Sequence, residues 1–176
     1  GYVSSSFIVL LNFLTSQDGV RAYMMWGMGS FSGVPHTMLP VFTISIILCL
    51  IVPILLAKPL NLLVLGNKYA ENLGVGIRTV RNALLLASGT LTAIVTTFCG
   101  PIAFIGLAVP HMTRLVFKTD DFRILIPAVM LCGAATALVC NAVCVLPGDG
   151  GVIPLNVVTP LIGVPVILYI MLKKYF

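Results

Sequence analysis

Apolar positions in this chain fall in long blocks bounded by charges, glycines and prolines. The blocks are Val3–Leu14, Thr37–Ala57, Val80–Phe98, Ile102–Phe117, Ile124–Leu146 and Val152–Leu172. A helix needs about 20 residues to cross the hydrocarbon core of a bilayer. Four blocks reach that length, Ile102–Phe117 is marginal, and Val3–Leu14 is short, as if cut at its start. Lipid offers an exposed backbone amide no partner, so every span is predicted to be a helix. The pattern predicts an all-α integral membrane fold with about six transmembrane helices, read as one membrane domain over residues 1–176.

Composition sharpens this. The chain is 59% hydrophobic and 9% charged, against about 25% charged in a soluble domain. Fifteen charged side chains cannot clothe a water-soluble globule of 176 residues. The net charge of +5 is no nucleic-acid signature, because the positives sit singly or in pairs between apolar blocks instead of clustering on one face. The five cysteines (Cys49, Cys99, Cys132, Cys140, Cys144) form no C-x-x-C pair. Cys140 and Cys144 share a helix face, which leaves a metal or redox pair open; small buried hydrophobes are the simpler reading.

Charge placement predicts topology. With segment 58–79 in the cytoplasm, Lys58, Lys68, Arg78, Arg81, Arg114, Lys118, Arg123, Lys173 and Lys174 fall on one side, nine of the ten positives, and only Arg21 falls opposite. That asymmetry is the positive-inside pattern, and it supports six spans independently of hydropathy. Two connections exceed a tight turn. Residues 15–36, expected outside, hold Tyr23, Trp26, Phe31 and breaks at Gly27, Gly29, Ser30 and Gly33. Residues 58–79, expected inside, are amphipathic at helical spacing (Leu62, Leu63, Leu65, Tyr69 and Leu73 against Asn61, Asn67, Lys68, Glu71 and Asn72) and are broken at Gly66 and Gly74–Gly76. They predict two short surface helices, serving either as a membrane-surface anchor or as a docking element for a cytoplasmic partner.

The sequence carries no G-x-x-x-x-G-K-S/T phosphate loop, no H-E-x-x-H and no G-x-S-x-G, so ATP hydrolysis and these hydrolytic chemistries are not expected in this chain. No acid lies within a span, which argues against a proton relay. His111, after Pro110 and three residues before Arg114, is either a pathway residue at a kink or a histidine hydrogen-bonded to a neighbouring helix. Small residues four apart (Ala83/Ala87, Gly89/Ala93, Gly133/Ala137) permit close helix packing, and Asn141 is expected to hydrogen-bond across helices. No cofactor or metal is expected. A channel or a secondary transporter not driven by ATP is the alternative class.

Particular motifs point to a family. The run Gly100-Pro101-Ile102-Ala103-Phe104-Ile105-Gly106-Leu107-Ala108-Val109-Pro110-His111-Met112-Thr113-Arg114 resembles the G-x-I-x-F-V/I-G-L-x-x-P-H-x-x-R signature of FecCD-type permeases, with Gly106, Pro110, His111 and Arg114 at its fixed positions. Trp26–Phe31 is similar to the W-x-x-G-S-F stretch. Leu65-Gly66, Ala70, Leu73-Gly74-Val75 and Arg78 match in order, and so do Asp120 or Asp121 with Arg123 and Pro127, and Pro154, Thr159, Gly163 and Pro165.

The resemblance implies the membrane subunit of an ATP-driven importer for an iron–siderophore complex, haem or vitamin B12, in the bacterial inner membrane. It implies a ten-span subunit working as a homodimer, of which this chain would be the C-terminal portion. It also implies a cytoplasmic ATP-binding subunit contacted by Ala70, Glu71, Leu73, Gly74, Val75 and Arg78, and an extracytoplasmic substrate-binding protein. Ser4, Ser5, Ser6 and Asn12 become pathway candidates, with polar helix–helix contacts as their other reading. The chain departs from the family at Asn141 and Val145, where an Asp and an Arg are common. It departs again at Val152 and Asn156, where a Glu and a Gly are usual, and after Arg114, where the usual Gly and His are absent. Val145 cannot form the ion pair through which the outer Arg helps to dock a binding protein.

Overall fold

The computed structural model describes residues 1–146 and 153–175. Among them the regular structure is helical: α1 (Tyr2–Leu14), α2 (Gln17–Gly27), a 3-10 turn (Phe31–Gly33), α3 (Leu39–Leu55), α4 (Ala57–Val64), α5 (Asn67–Asn72), α6 (Ile77–Cys99), α7 (Ile105–Phe117), α8 (Phe122–Val145) and α9 (Leu155–Tyr175). The six apolar blocks become α1, α3, α6, α7, α8 and α9. By length and composition, α6 and α8 suffice to cross a membrane, and α3 with α4, bent by 45° at their junction, would make a third span. α1, α7 and the Leu155–Pro165 stretch of α9 are shorter apolar helices. The expected count of six therefore holds for apolar helices, and fewer reach full length. For α7 the reason is local: residues 100–103 are not helical, so the helix begins only at Ile105.

Local chemistry sets the ends. Pro40 lies in the first turn of α3, where its missing N–H costs nothing. Asp121 caps α8 by accepting from the Arg123 N–H at 2.9 Å. α7 stops at Lys118 in left-handed conformation, with its N–H on the Arg114 carbonyl. Residues 15–36 hold more order than their glycines suggested, because Ser16 and Asp18 open a helix that ends at Gly27.

Helix α3 packs on α6, and α7 on α8 and α9; α4 lies against α5 and α8. A Cβ on Gly133 would be 3.8 Å from Val109 Cγ1, so this small residue does bring α8 close to α7. Gly89 faces open space. The cysteines are free, and Cys140 and Cys144 pack with Leu155 and Val158 against Phe31, Ile102, Ile153 and Ile162. They serve there as small hydrophobes. Among the described residues Asn141 makes no side-chain hydrogen bond, contrary to expectation; it lines a cavity with Met25, Ser30 and Cys144.

The molecule exposes 12523 Å², where a compact soluble chain of this size would expose about 8,300 Å². Much of the excess is aliphatic, including Leu86, Leu131 and Leu138, each 70% or more exposed. Side chains of this kind require lipid or protein around them.

Candidate functional site

Alternation of the helices gives the bundle two ends. One carries α4, α5, the start of α6, the α7–α8 connection and most of the basic residues. The other carries α2, the 3-10 turn, the α6–α7 connection and the start of α9.

At the basic end, α4 and α5 are the two short helices the amphipathic pattern predicted. α5 closes by a complete Schellman motif: the Val75 N–H donates to the Ala70 carbonyl at 3.0 Å and the Gly74 N–H to the Glu71 carbonyl at 2.9 Å, with Gly74 at φ +80°. That left-handed position is the one a glycine occupies without steric cost. Ala70 lies fully buried beneath the turn (0% exposed) and Val75 is half-buried. Glu71, Gly74 and Arg78 are exposed. Leu65, Tyr69 and Leu73 are 66%, 54% and 54% exposed, an apolar surface on a Gly-bounded knuckle. Of the six contact candidates, the structure presents Glu71, Leu73, Gly74 and Arg78 to the outside and uses Ala70 and Val75 to support the turn from within.

The same end holds a tie that the sequence did not disclose. Asn61 of α4 donates from Nδ2 to Asp121 Oδ1 at 2.5 Å and accepts at Oδ1 from the Phe122 N–H at 2.8 Å. The Asp121 N–H donates to Thr119 Oγ1 at 3.2 Å. The Arg123 N–H first, then the Asn61 amide, hold the Asp121 carboxyl below its ordinary value, because both donate to its charged form. Nearby, Arg114 and Asp120 form a loose, exposed ion pair at 3.7 Å.

At the opposite end, residues 26–30 are clamped between two helix termini. The Trp26 indole Nε1 donates to the Thr96 and Thr97 carbonyls at 3.1 and 3.3 Å, and the Ser30 N–H donates to the Cys99 carbonyl at 2.9 Å. They satisfy the Thr97 and Cys99 carbonyls, orphans at the C-terminus of α6; the Thr96 carbonyl also accepts from the Gly100 N–H. The Asn156 and Leu155 N–H groups donate to the Met28 and Gly29 carbonyls at 3.2 and 3.3 Å, satisfying orphan donors at the N-terminus of α9. The Asn156 side chain completes the junction. Its Nδ2 donates to the Gly27 carbonyl at 3.0 Å and the Pro101 carbonyl at 2.6 Å, and its Oδ1 accepts from the Ala103 N–H at 3.2 Å. Gly100, at φ +77°, lies so close that a Cβ there would collide with the Trp26 carbonyl oxygen. Trp26 is thus a structural donor as well as an aromatic.

The signature residues are arranged along α7. Gly106 is exposed, Pro110 sits inside the helix, and His111 is exposed with no side-chain hydrogen bond among the described residues. Phe104, with φ +66°, begins α7 and packs against Gly163 of α9, where a Cβ would come within 3.0 Å of Phe104 Cβ. The pathway candidates are not brought to any of these places: Ser4, Ser5 and Ser6 are exposed on α1, and Asn12 is half-buried. Val152 lies outside the described residues. Val145 is exposed at the end of α8. No group of three or more His, Cys, Asp or Glu side chains poised for a metal occurs among the described residues.

Known proteins resemble this chain in sequence and fold. The model of the FecCD transport family matches residues 1–173. The vitamin B12 import system permease protein BtuC of Salmonella typhi is 32% identical over 179 residues, covering 99% of this chain and 53% of that protein. The protein of the same description from Salmonella newport (strain SL254) matches with the same identity and coverage. A solved inward-facing structure of an ABC transporter assigned to the metal-chelate type superposes with a TM-score of 0.87 at 30% identity, over 96% of this chain and 55% of that one. The chain spans about half the length of the curated relatives it matches.

Proposed function

The chain belongs to the FecCD transport family, and from that premise we propose that it forms part of the membrane permease of an ATP-driven importer in the bacterial inner membrane. The cargo is an iron complex of the siderophore or haem kind, or vitamin B12. In this reading the basic end faces the cytoplasm and docks an ATP-binding subunit. The opposite end meets a substrate-binding protein, and a second permease copy completes the path. The permease contributes two helix packings and a route for cargo, and the ATP-binding partner hydrolyses ATP.

The observation that carries this reading is the α5 knuckle. Its apolar side chains Leu65, Tyr69 and Leu73 stand exposed at the basic end, and its Schellman turn gives it a defined shape that can seat in a groove. Glu71 and Arg78, both exposed, supply charged contacts at its rim. The test is co-purification of the permease with its ATPase subunit, followed by ATP-dependent uptake of radiolabelled cobalamin and ferric chelates. Replacing residues 66–76 by a flexible linker should abolish both ATPase capture and uptake. Wild-type uptake after that replacement, or uptake driven by an ion gradient without ATP, overturns the assignment.

A further inference from the structure

Asn61 is half-buried within α4 and commits both ends of its amide to the N-terminus of α8. Its donor meets the Asp121 carboxylate, and its acceptor meets the N–H of Phe122, the first residue of the helix. That N–H has no partner within the helix. Asp121 Oδ1 is shared, since it also caps Arg123 at 2.9 Å. The site needs one donor and one acceptor on a short, planar stem, which is the asparagine inventory. An aspartate there would set acceptor against acceptor, and an apolar residue would satisfy neither partner.

Mechanical consequences follow from where the tie sits. α4 is joined to α3 through a 45° bend, a joint able to absorb movement. On its other side it leads through Leu65 and Gly66 into α5. α4 also packs on α8, but non-directional packing lets one helix slide on the other, so without the hydrogen bonds part of a pull on α5 would be taken up at the bend. With them, α4 is bound to α8, a helix of 24 residues that reaches the opposite end and packs on both α7 and α9.

We propose that Asn61 is a positioning residue that ties the docking segment to α8, so that displacement of α5 by the ATP-binding partner is delivered to the α7–α8–α9 group and not dissipated at the α3–α4 bend. This rests on the docking reading above. Asn61 touches neither cargo nor nucleotide; it acts through Asp121 and Phe122.

The experiment measures cargo imported per ATP hydrolysed by the complete permease–ATPase complex, alongside ATPase co-purification. Asn61→Asp should leave capture of the ATPase in place and lower import per ATP by about tenfold, the scale of one lost charge-assisted hydrogen bond. Asp121→Asn combined with Asn61→Asp restores a donor facing an acceptor and should recover most of the ratio, a rescue that a merely space-filling role would not give. Asn61→Ser gives a milder loss and a readout should the aspartate variant fail to assemble. An unchanged ratio in Asn61→Ser and Asn61→Asp, or no recovery in the double variant, overturns the proposal. Replacement of residues 66–76 distinguishes the two readings. If it leaves ATPase capture intact, the docking reading fails. If it abolishes capture while the Asn61 variants stay fully coupled, only the tie fails.

Discussion

Asn156 and Gly74 each do something no neighbouring residue type does as well. The Asn156 side chain satisfies two carbonyls and one N–H from separate segments. Asn156→Ala leaves three backbone groups to find new partners, two of them in bonds that are already exposed, so the expected loss is about 1–2 kcal/mol. Asn156→Asp should be worse than alanine. A carboxylate near a helix N-terminus gains roughly 0.3–1 kcal/mol from the helix dipole, but here it would face the Gly27 and Pro101 carbonyls with no proton to offer. Thermal unfolding in detergent ranks the three proteins, and an aspartate variant above alanine would refute the assigned bonding. Gly74 is a purely conformational case, because a Cβ there meets nothing within 4 Å. Gly74→Ala should therefore cost only the left-handed backbone, about 1–2 kcal/mol. Gly74→Asn should cost less, and ATPase capture should fall in the same order.

At the scale of elements, α7 and α9 meet through a close approach that a side chain would block. Phe104 lies over Gly163, and even one added methyl would sit 3.0 Å from Phe104 Cβ. Gly163→Leu should separate the two helices and lower stability by about 1–3 kcal/mol, the usual cost of overpacking. Phe104→Gly in the same chain removes the Cβ that the new side chain meets and should return part of that loss, so a double-mutant cycle on unfolding midpoints must show a coupling term. Strict additivity would place the strain elsewhere. The six apolar helices were legible in the sequence because each is a block, and the two ends of α5 were legible at Gly66 and Gly74. α2 was not, since the breaks at Gly27, Gly29, Ser30 and Gly33 read as a loop, while its start rests only on Ser16 at the N-cap and Asp18 in the first turn. The late start of α7 was hidden because Pro101–Phe104 is as apolar as the helix that follows. The two amide ties were out of reach for a different reason. Asn61 and Asp121 lie 60 positions apart, and Asn156 and Gly27 lie 129 apart, so no local pattern announces either pair.

Across the whole molecule the two ends are built to different stiffness. The opposite end is stitched by backbone hydrogen bonds among residues 26–30, 96–103 and 153–156, with one indole and one amide reinforcing them. At the basic end α5 has its own turn and packs mainly on α4 and α6, and α4 in turn packs on α8, where Asn61 supplies the side-chain hydrogen bonds. Local opening follows the density of such contacts. Amide hydrogen exchange on the permease without its ATPase should therefore show Ser30, Leu155 and Asn156 among the slower amides outside the helix interiors, and residues 66–76 among the faster. On the docking reading proposed above, adding an ATP-binding subunit should slow exchange in 66–76 by burying the knuckle and leave Ser30 and Asn156 nearly unchanged until nucleotide is supplied. With nucleotide, a permease that switches packing must loosen the clamp on residues 26–30, and exchange at Ser30 should rise. Faster exchange at Ser30 in the Asn156→Ala variant before any nucleotide is added would identify that side chain as what holds the clamp shut. If Ser30 and Asn156 keep the same exchange rate with and without nucleotide, the clamp does not move with the ATPase cycle.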